Sequence, residues 1–236
     1  MLRRAMMAGG PTLYAELMAD SPWLYMRLAE ASGTVAENEV ASRPEGSYPV
    51  GGGVSLGNAA IYTGGPTCYS PSANTGFAVY SPGGSEASSS DMTLVLVYKP
   101  SSVTGVHQLL SRDTSSGGTR YYQWRTNGAN LEFVKITGGV DTKSVAHGMT
   151  AGVACILHVR VTSGGVVTFF RNGASLGGGT MAAATYLNNS SSGFYVGNRG
   201  GVNEAVTGDK YSEAAAFAGA LSDARILAHA QAAGFA

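Results

Sequence analysis

Residues 19–33 read Ala-Asp-Ser-Pro-Trp-Leu-Tyr-Met-Arg-Leu-Ala-Glu-Ala-Ser-Gly, and residues 211–226 read Tyr-Ser-Glu-Ala-Ala-Ala-Phe-Ala-Gly-Ala-Leu-Ser-Asp-Ala-Arg-Ile. The first stretch predicts a strand from Trp23 to Leu28. The second predicts a strand from Tyr211 to Phe217, because aromatic and apolar residues bounded by turn residues are typical of strands. The chain is therefore expected to begin and end its folded body with β-structure.

A short helix is predicted beside each of these strands. Thr12 can cap a helix that runs to Asp20, and Pro22 prevents the helix from continuing. Ser222 can cap a second helix from Asp223 to about Ala233, with a glycine after it as the stop signal.

Most of the chain between the ends is predicted to form short strands joined by turns. Residues 31–58 are polar and glycine-rich and are expected to form a long loop or an irregular edge. Asn127-Gly128 predicts a tight hairpin, because both residues tolerate the positive φ that such turns need. The further strands are predicted over residues 59–62, 76–80, 92–99, 106–111, 120–125, 131–136, 140–146, 153–162, 166–171 and 194–197. These ten segments, with the two end strands, favour an all-β antiparallel sandwich.

Polar and apolar side chains alternate clearly in the strand over residues 153–162, as in His158-Val159-Arg160-Val161. Successive side chains of a strand point to opposite faces of the sheet. The alternation therefore predicts that one face of this strand lies in the core and the other in water.

The composition limits the classes of protein to which the chain can belong. The 236 residues are 44% hydrophobic and 13% charged, with 34 glycines, which permits a sizeable core. Fifteen basic and fifteen acidic residues give zero net charge, so the basic excess typical of nucleic-acid binders is missing. No apolar stretch approaches the roughly 20 residues of a membrane span. A weakly charged surface of this kind suits packing into an assembly.

The first eleven residues, Met-Leu-Arg-Arg-Ala-Met-Met-Ala-Gly-Gly-Pro, are expected to form a flexible arm before a single domain over residues 12–236. Their apolar run is short and is interrupted by Gly-Gly-Pro, so we predict no secretory signal peptide. Cys68 and Cys155 both lie near apolar stretches. They are expected to be buried thiols, although a disulfide between them stays open.

Several further segments, taken with the two end segments, carry a family resemblance. In chain order they are Thr93-Leu94-Val95-Leu96-Val97-Tyr98-Lys99-Pro100, Leu109-Leu110-Ser111-Arg112, Cys155-Ile156-Leu157-His158-Val159-Arg160-Val161, Phe169-Phe170-Arg171-Asn172-Gly173 and Tyr195-Val196-Gly197-Asn198. The set resembles the laminin-G-like, concanavalin A-like lectin jelly roll over residues 12–236. The resemblance implies an antiparallel jelly-roll β-sandwich with short N- and C-terminal helices, in which the first and last strands lie close together. The opening segment is similar to versions of this domain in bacteriophage and bacterial surface proteins.

Catalytic motifs are missing from the sequence, so we predict that the protein is not an enzyme. Related jelly-roll glycoside hydrolases need carboxylates on one strand in a Glu-x-Asp pattern, and no Glu-x-Asp occurs here. The nearest pattern, Glu37-Asn38-Glu39, lies in a polar loop. The four histidines, His107, His147, His158 and His229, accompany no nucleophile motif and are expected to be surface or strand residues.

No cofactor or metal site is predicted. Calcium occurs in parts of this family, where loop carboxylates and carbonyls hold it. Asp209 and Glu204 share a glycine-rich loop, but we interpret them as solvated turn residues.

The cluster Tyr121-Tyr122-Gln123-Trp124-Arg125 is the best candidate for a binding site. Alternation places Tyr122 and Trp124 on one face, and Tyr121 with Arg125 on the other. An exposed Trp or Tyr can stack on a sugar ring, and Arg can bond hydroxyl or acid groups. The alternative, that one face only fills the core, stays open. Arg27 and Glu30 are interpreted as a polar pair that closes the fold.

Two functions follow as hypotheses. The first is a non-enzymatic structural protein of a bacteriophage virion, on the particle surface as a head decoration or a tail or collar accessory, bound to capsid or tail proteins and forming a homo-oligomer. The alternative is a module that recognises host-surface polysaccharide. The sequence does not choose between head and tail.

Overall fold

The computed structural model describes residues 10–41, 43–49, 52–80, 89–113, 121–136, 139–183, 192–200 and 204–236. These residues form two helices, α1 (Leu13–Ala19) and α2 (Asp223–Ala232). They also form sixteen strands, in chain order β1 (Leu24–Met26), β2 (Val35–Ala36), β3 (Gly46–Ser47), β4 (Val54–Asn58), β5 (Cys68–Pro71), β6 (Ala78–Tyr80), β7 (Met92–Lys99), β8 (Val106–Asp113), β9 (Tyr122–Asn127), β10 (Asn130–Lys135), β11 (Asp141–Ala146), β12 (Cys155–Val161), β13 (Val166–Arg171), β14 (Ala174–Thr180), β15 (Gly193–Val196) and β16 (Lys210–Phe217).

The strands build two antiparallel sheets that pack as a sandwich. The first sheet has the order β14-β13-β12-β7-β16-β5-β4, with β1 paired to β16, and the second has the order β11-β10-β9-β8-β15-β6-β3-β2. This architecture confirms the predicted all-β antiparallel sandwich with a short helix near each end. Neither helix in the described part of the chain, at seven and ten residues, is long enough to span a bilayer.

The central strand β7 shows why the sequence folds this way. Its Leu94 and Leu96 belong to the main core between the sheets, together with Trp124 and Phe133 of the second sheet. Its Val95 and Val97 point to the opposite face and belong to a second apolar cluster with Leu17 and other residues of the helices. A strand that is buried on both faces needs an unbroken apolar run, and Leu-Val-Leu-Val-Tyr over residues 94–98 supplies one.

The helices cover a sheet face that the sequence predicted to lie in water. The outer face of the first sheet was predicted to be wet at His158, yet His158 is fully buried beneath α2. Side chains of α1 and α2 cover this face, so its apolar positions form the second cluster instead of an exposed surface.

The two ends of the chain meet as the resemblance implies. Strand β1 pairs with β16 in the register Leu24 to Ala216 and Met26 to Ala214. Arg225 of α2 donates hydrogen bonds to Glu16 at 2.6 Å and Asp20 at 2.8 Å, and so ties α2 to α1. Both predicted helix caps are present, because Thr12 and Ser222 accept bonds from the backbone N–H three residues later.

Some strand predictions were wrong. Residues 59–62 form no strand, and the neighbouring strands are β4 and β5. Strand β14 was not predicted, because its sequence Ala-Ser-Leu-Gly-Gly-Gly-Thr lacks the β-branched and aromatic residues typical of strands. The predicted N-terminal arm lies outside the described residues, apart from the exposed Gly10 and Pro11.

Candidate functional site

The two predicted aromatic contact residues lie in the core. Tyr122 and Trp124 are both fully buried, and Trp124 pairs across the sheet with Leu110 and Phe133. The Tyr122 ring stacks on Phe133, with centroids 5.5 Å apart. The prediction that these rings stack on a sugar is therefore wrong, because the face of β9 that carries them is the one that fills the sandwich.

Arg125, the third predicted contact residue, points to the other side of β9. The register places it beside Gln108 of β8 and Glu132 of β10, and Glu132 lies beside the exposed Ser144 of β11. Gln123 lies one row further along, next to Ser111 of β8 and Val134 of β10. We call the outward-pointing residues Gln108, Gln123, Arg125, Glu132 and Ser144 the polar face of the second sheet.

The carboxylates at the polar face are held in place by their neighbours. Arg125 donates from Nε to Glu132 Oε2 at 2.9 Å, its Nη2 lies 2.9 Å from the same oxygen, and Asn127 donates to Glu132 Oε1 at 3.0 Å. Gln108 donates from Nε2 to Glu204 Oε2 at 2.8 Å, and Arg199 binds the other oxygen of Glu204. Both carboxylates thus use both of their oxygens within the protein.

Two amide atoms of the polar face lack such a bond. Gln108 Oε1 and Gln123 Nε2 have no hydrogen-bond partner in the described part of the chain, although Gln108 is 0% and Gln123 2% exposed. A buried polar atom without a partner costs about 1–3 kcal/mol and is uncommon. Gln108 Oε1 is an acceptor and Gln123 Nε2 is a donor.

The loop residue Asp209 is not a solvated turn residue, as was predicted, but the centre of a buried network. It is fully buried and accepts hydrogen bonds from the Ser101 N–H at 2.7 Å, the Tyr98 hydroxyl at 2.7 Å and the Tyr211 hydroxyl at 3.2 Å. His107 Nδ1 donates to it at 2.7 Å. Burial lowers the pKa of His107, but the hydrogen bond to Asp209 and its charge outweigh this and raise it above the ordinary value.

Asp209 and Glu204, which share a loop in the sequence, do not come together as metal ligands. Glu204 lies apart from the Asp209 network, bonded to Gln108 and Arg199. Among the described residues, no group of three histidine, cysteine or acidic side chains could hold a metal ion.

The histidines and cysteines are also buried. All four histidines have exposures of 3% or less. His107 lies in β8 and His158 in β12, as expected of strand residues, whereas His147 and His229 are neither surface nor strand residues. Cys68 and Cys155 are both buried and free, which confirms the expected buried thiols and leaves no disulfide between them. Burial raises the pKa of Cys155 to about 12, although the nearby Arg171 lowers it.

Arg27 and Glu30 do not pair with each other as predicted. Arg27 Nε lies 3.8 Å from Glu213 Oε2, whereas Glu30 accepts bonds from the Tyr48 hydroxyl at 2.6 Å and the Glu37 N–H at 2.7 Å. Each of them still links the opening segment to a distant part of the fold.

The sequence also matches a known protein family. The profile of a family described as the concanavalin A-like lectin/glucanases superfamily matches residues 73–230. No curated protein matches the sequence.

Solved structures resemble the chain in fold. The ligand binding domain of botulinum neurotoxin serotype D, in complex with N-acetylneuraminic acid, has a TM-score of 0.67 at 11% identity, over 92% of this chain and 52% of that one. The receptor binding domain of botulinum neurotoxin type G has a TM-score of 0.62 at 8% identity, over 89% and 51%. Trypanosoma rangeli sialidase has a TM-score of 0.60 at 12% identity, over 88% and 32%. The chain therefore spans about half, or less, of the structures it resembles, and identities this low show the fold alone.

Proposed function

Because the chain belongs to the concanavalin A-like lectin/glucanases superfamily, we propose that it is a carbohydrate-binding module that holds a glycan on its polar face without cleaving it. The lectin-like jelly roll supports this proposal at the level of fold. A fold alone does not fix a function, so the argument depends on the side chains of the face.

The observation that carries the proposal is the pair of unpartnered amide atoms. Gln108 Oε1 can accept a hydrogen bond from a sugar hydroxyl, and Gln123 Nε2 can donate one. Arg125, whose side chain is 24% exposed, lies beside Gln108 in the register and two residues after Gln123 on the same strand. Both atoms are buried, so a hydroxyl-rich ligand has to displace neighbouring side chains to reach them, and it would then remove the free-energy cost of leaving both amides unpaired.

Binding without cleavage is proposed from the state of the carboxylates. Glycoside hydrolysis needs one carboxyl group to protonate the leaving oxygen and a second to attack or to activate water. Glu132 and Glu204 each use both oxygens in bonds to neighbouring side chains. The proposal therefore gives both carboxylates a structural role, in bonds to their neighbours.

The test is a glycan array that includes bacterial surface polysaccharides, with the parent protein and two matched variants. Gln123→Ala removes an amide of the polar face and should weaken binding by about tenfold, the effect of losing one or two hydrogen bonds. Gln231→Ala makes the same change at an exposed position of α2 and should leave binding unchanged. An array without any binding by the parent protein would contradict the proposal, as would equal loss in both variants.

As a second candidate we propose that the module is displayed on a phage particle as a homo-oligomer that contacts capsid or tail proteins. The resemblance of residues 19–33 to versions of this domain in bacteriophage and bacterial surface proteins and the zero net charge support it. The exposed Gly10 and Pro11 border an open groove of about 320 Å³ beside α2, which leaves room for a neighbour there.

Cryo-electron microscopy of particles from the source that encodes this chain tests the second candidate. Ordered copies on a capsid or tail are expected, and deletion of residues 1–9 should reduce their occupancy. Particles that carry no copy would contradict it while leaving the glycan proposal untouched.

A further inference from the structure

A second candidate site lies on the opposite side of the sandwich from the polar face. An open cavity of about 360 Å³ is bordered by Tyr14 of α1, Arg27, Tyr62 and Glu213 of β16. Ala215, two residues after Glu213, belongs to the apolar cluster beneath the helices, so this part of β16 faces outward from the first sheet. The cavity size falls within the range of small-molecule sites, roughly 300–1,000 Å³.

The floor of the cavity is a buried carboxylate that two tyrosines hold. Glu213 has a side chain only 1% exposed, and it accepts hydrogen bonds from the Tyr25 and Tyr62 hydroxyls, the latter at 2.6 Å. Burial raises the pKa of Glu213, although these hydroxyls and Arg27 oppose the shift. A carboxylate this well supported keeps one fixed position.

The backbone around this carboxylate is held in an unfavourable conformation. Glu213 has φ of +52°, at a bulge where the register between β16 and β7 shifts, and Leu28 has φ of +59° directly after Arg27. The Glu213 N–H donates to the Arg27 carbonyl at 3.1 Å, so the two strained segments support each other. Positive φ costs a residue other than glycine about 1–3 kcal/mol and persists where the surroundings fix it, often at functional sites.

Arg27 supplies the donors of the cavity. Its guanidinium carbon lies 5.3 Å from the centre of the Tyr14 ring, and its side chain is 34% exposed. None of its nitrogens donates a hydrogen bond to a described residue, and the nearest carboxylate oxygen is 3.8 Å from Nε. The stacked geometry fixes the guanidinium while leaving its N–H groups for a ligand.

Charge decides which class of ligand fits. Arg27 and Glu213 offset each other within the cavity, and the groove on the far side of Arg27 adds Glu30, Glu37 and Glu39. An anion would meet this negative surplus, so an acidic ligand is disfavoured. An uncharged ring with hydroxyl groups can instead bond the guanidinium and lie against Tyr14, which is 36% exposed.

We infer that this cavity is a carbohydrate site separate from the polar face, and that it takes one neutral sugar residue. Tyr14 packs against the sugar ring, Arg27 donates hydrogen bonds to its hydroxyls, and Glu213 keeps Arg27 and Tyr62 in place. Because the two sites lie on opposite outer faces, the module could join two glycan chains. The inference does not depend on the polar face binding anything.

The experiment is saturation-transfer NMR with D-glucose, D-galactose and D-mannose, each at millimolar concentration. At least one sugar should show transfer with the parent protein, and Tyr14→Ala should weaken it by about tenfold, the effect of losing an aromatic contact. Tyr14→Phe keeps the ring and should bind like the parent. Val140→Ala, at an exposed position outside both sites, should leave the signal unchanged, and Arg125→Ala reports any transfer that comes from the polar face.

Each outcome separates the two sites. No transfer from any of the three sugars would overturn the cavity proposal, even if the array shows longer glycans on the polar face. Transfer that Arg125→Ala abolishes and Tyr14→Ala does not would also overturn it. Transfer lost only in Tyr14→Ala would support the cavity, whatever the array shows for Gln123→Ala.

Discussion

His229 Nε2 donates a hydrogen bond to Asp20 Oδ2 at 2.8 Å, and so joins the last helix to the end of the first. The other ring nitrogen, Nδ1, lies 3.3 Å from Nε2 of His158 in β12. The two imidazole rings stack with centroids 5.5 Å apart. A line of buried polar contacts therefore fixes both helices on the first sheet, and each ring must stay neutral to keep its place.

This line predicts that acid weakens the fold. Burial lowers the pKa of His158 and of His229, and the second histidine lowers that of His158 further, whereas Asp20 partly opposes the shift in His229. In the unfolded chain both titrate near their ordinary value of about 6.5. Above about pH 6.5 these histidines therefore do not reduce the free energy of unfolding. Below that pH each lowers it by about 1.4 kcal/mol per pH unit, because the unfolded state binds more protons.

The variant His158→Gln removes one of the two titrating groups. Urea unfolding from about pH 7 to about pH 5 should show a free energy of unfolding that falls less steeply with acid in the variant than in the parent, by up to about 1.4 kcal/mol per pH unit. His107 has a raised pKa and stays in both proteins, so its contribution cancels in the difference. Parallel pH dependences would mean that His158 does not titrate as proposed.

Asp209→Asn should strongly destabilise the protein. The carboxylate is fully buried and accepts bonds from Ser101, Tyr98 and His107, which join the loop before β16 to β7 and β8. Asparagine removes the charge that His107 faces and turns one acceptor into a donor, so we expect a loss of about 3 kcal/mol. Asp141→Asn, near the surface, is the matched control and should stay close to the parent in the same denaturation experiment. A small loss at position 209 would show that solvent already reaches this network.

The sequence predicted the long strands and both helices well, for identifiable reasons. Strands β7 and β13 have the bounds that their apolar runs indicate, and Thr12 and Ser222 cap the helices where expected. These are local signals, which propensity and capping chemistry control. Strand β14 escaped prediction because its glycine-rich sequence has little strand propensity, and it is its pairing with β13 that keeps it in the sheet.

The candidate site was harder to predict, because it depends on which face of a strand points inward. Alternation placed Trp124 and Arg125 on opposite faces of β9, but the sequence did not indicate which of these faces enters the core. Gln108 reaches Arg125 only through the bulge between Gln108 and Leu110, which shifts the register of β8 against β9. Packing of one sheet against the other decides the first point, and the pairing of β8 with β9 decides the second.

Gly76→Ala should destabilise the loop before β6. A Cβ at position 76 would lie 1.9 Å from the carbonyl oxygen of Gly53, and this backbone atom cannot move away cheaply. Overpacking of this kind costs about 1–3 kcal/mol. Gly219→Ala is the control, because nothing lies within 4 Å of a Cβ there. The urea midpoint of Gly76→Ala should lie well below those of the control and the parent. Equal midpoints would contradict the close approach of residues 53 and 76.

Neighbouring positions on β9 should separate folding from binding. Trp124 is fully buried between the sheets, so Trp124→Ala should cost about 3–5 kcal/mol of unfolding free energy, as large-to-small core changes do. Arg125 has a side chain 24% exposed and pairs with Glu132, so Arg125→Ala should cost no more than about 1 kcal/mol.

On the glycan array the two variants should rank in the opposite order, with Arg125→Ala the more strongly affected. Arg125→Ala should bind more weakly than the parent while folding normally, whereas Trp124→Ala, at a temperature where it stays folded, should bind like the parent, because its ring faces away from the polar face. If the folded Trp124→Ala protein loses binding and Arg125→Ala keeps it, the glycan does not lie on the polar face.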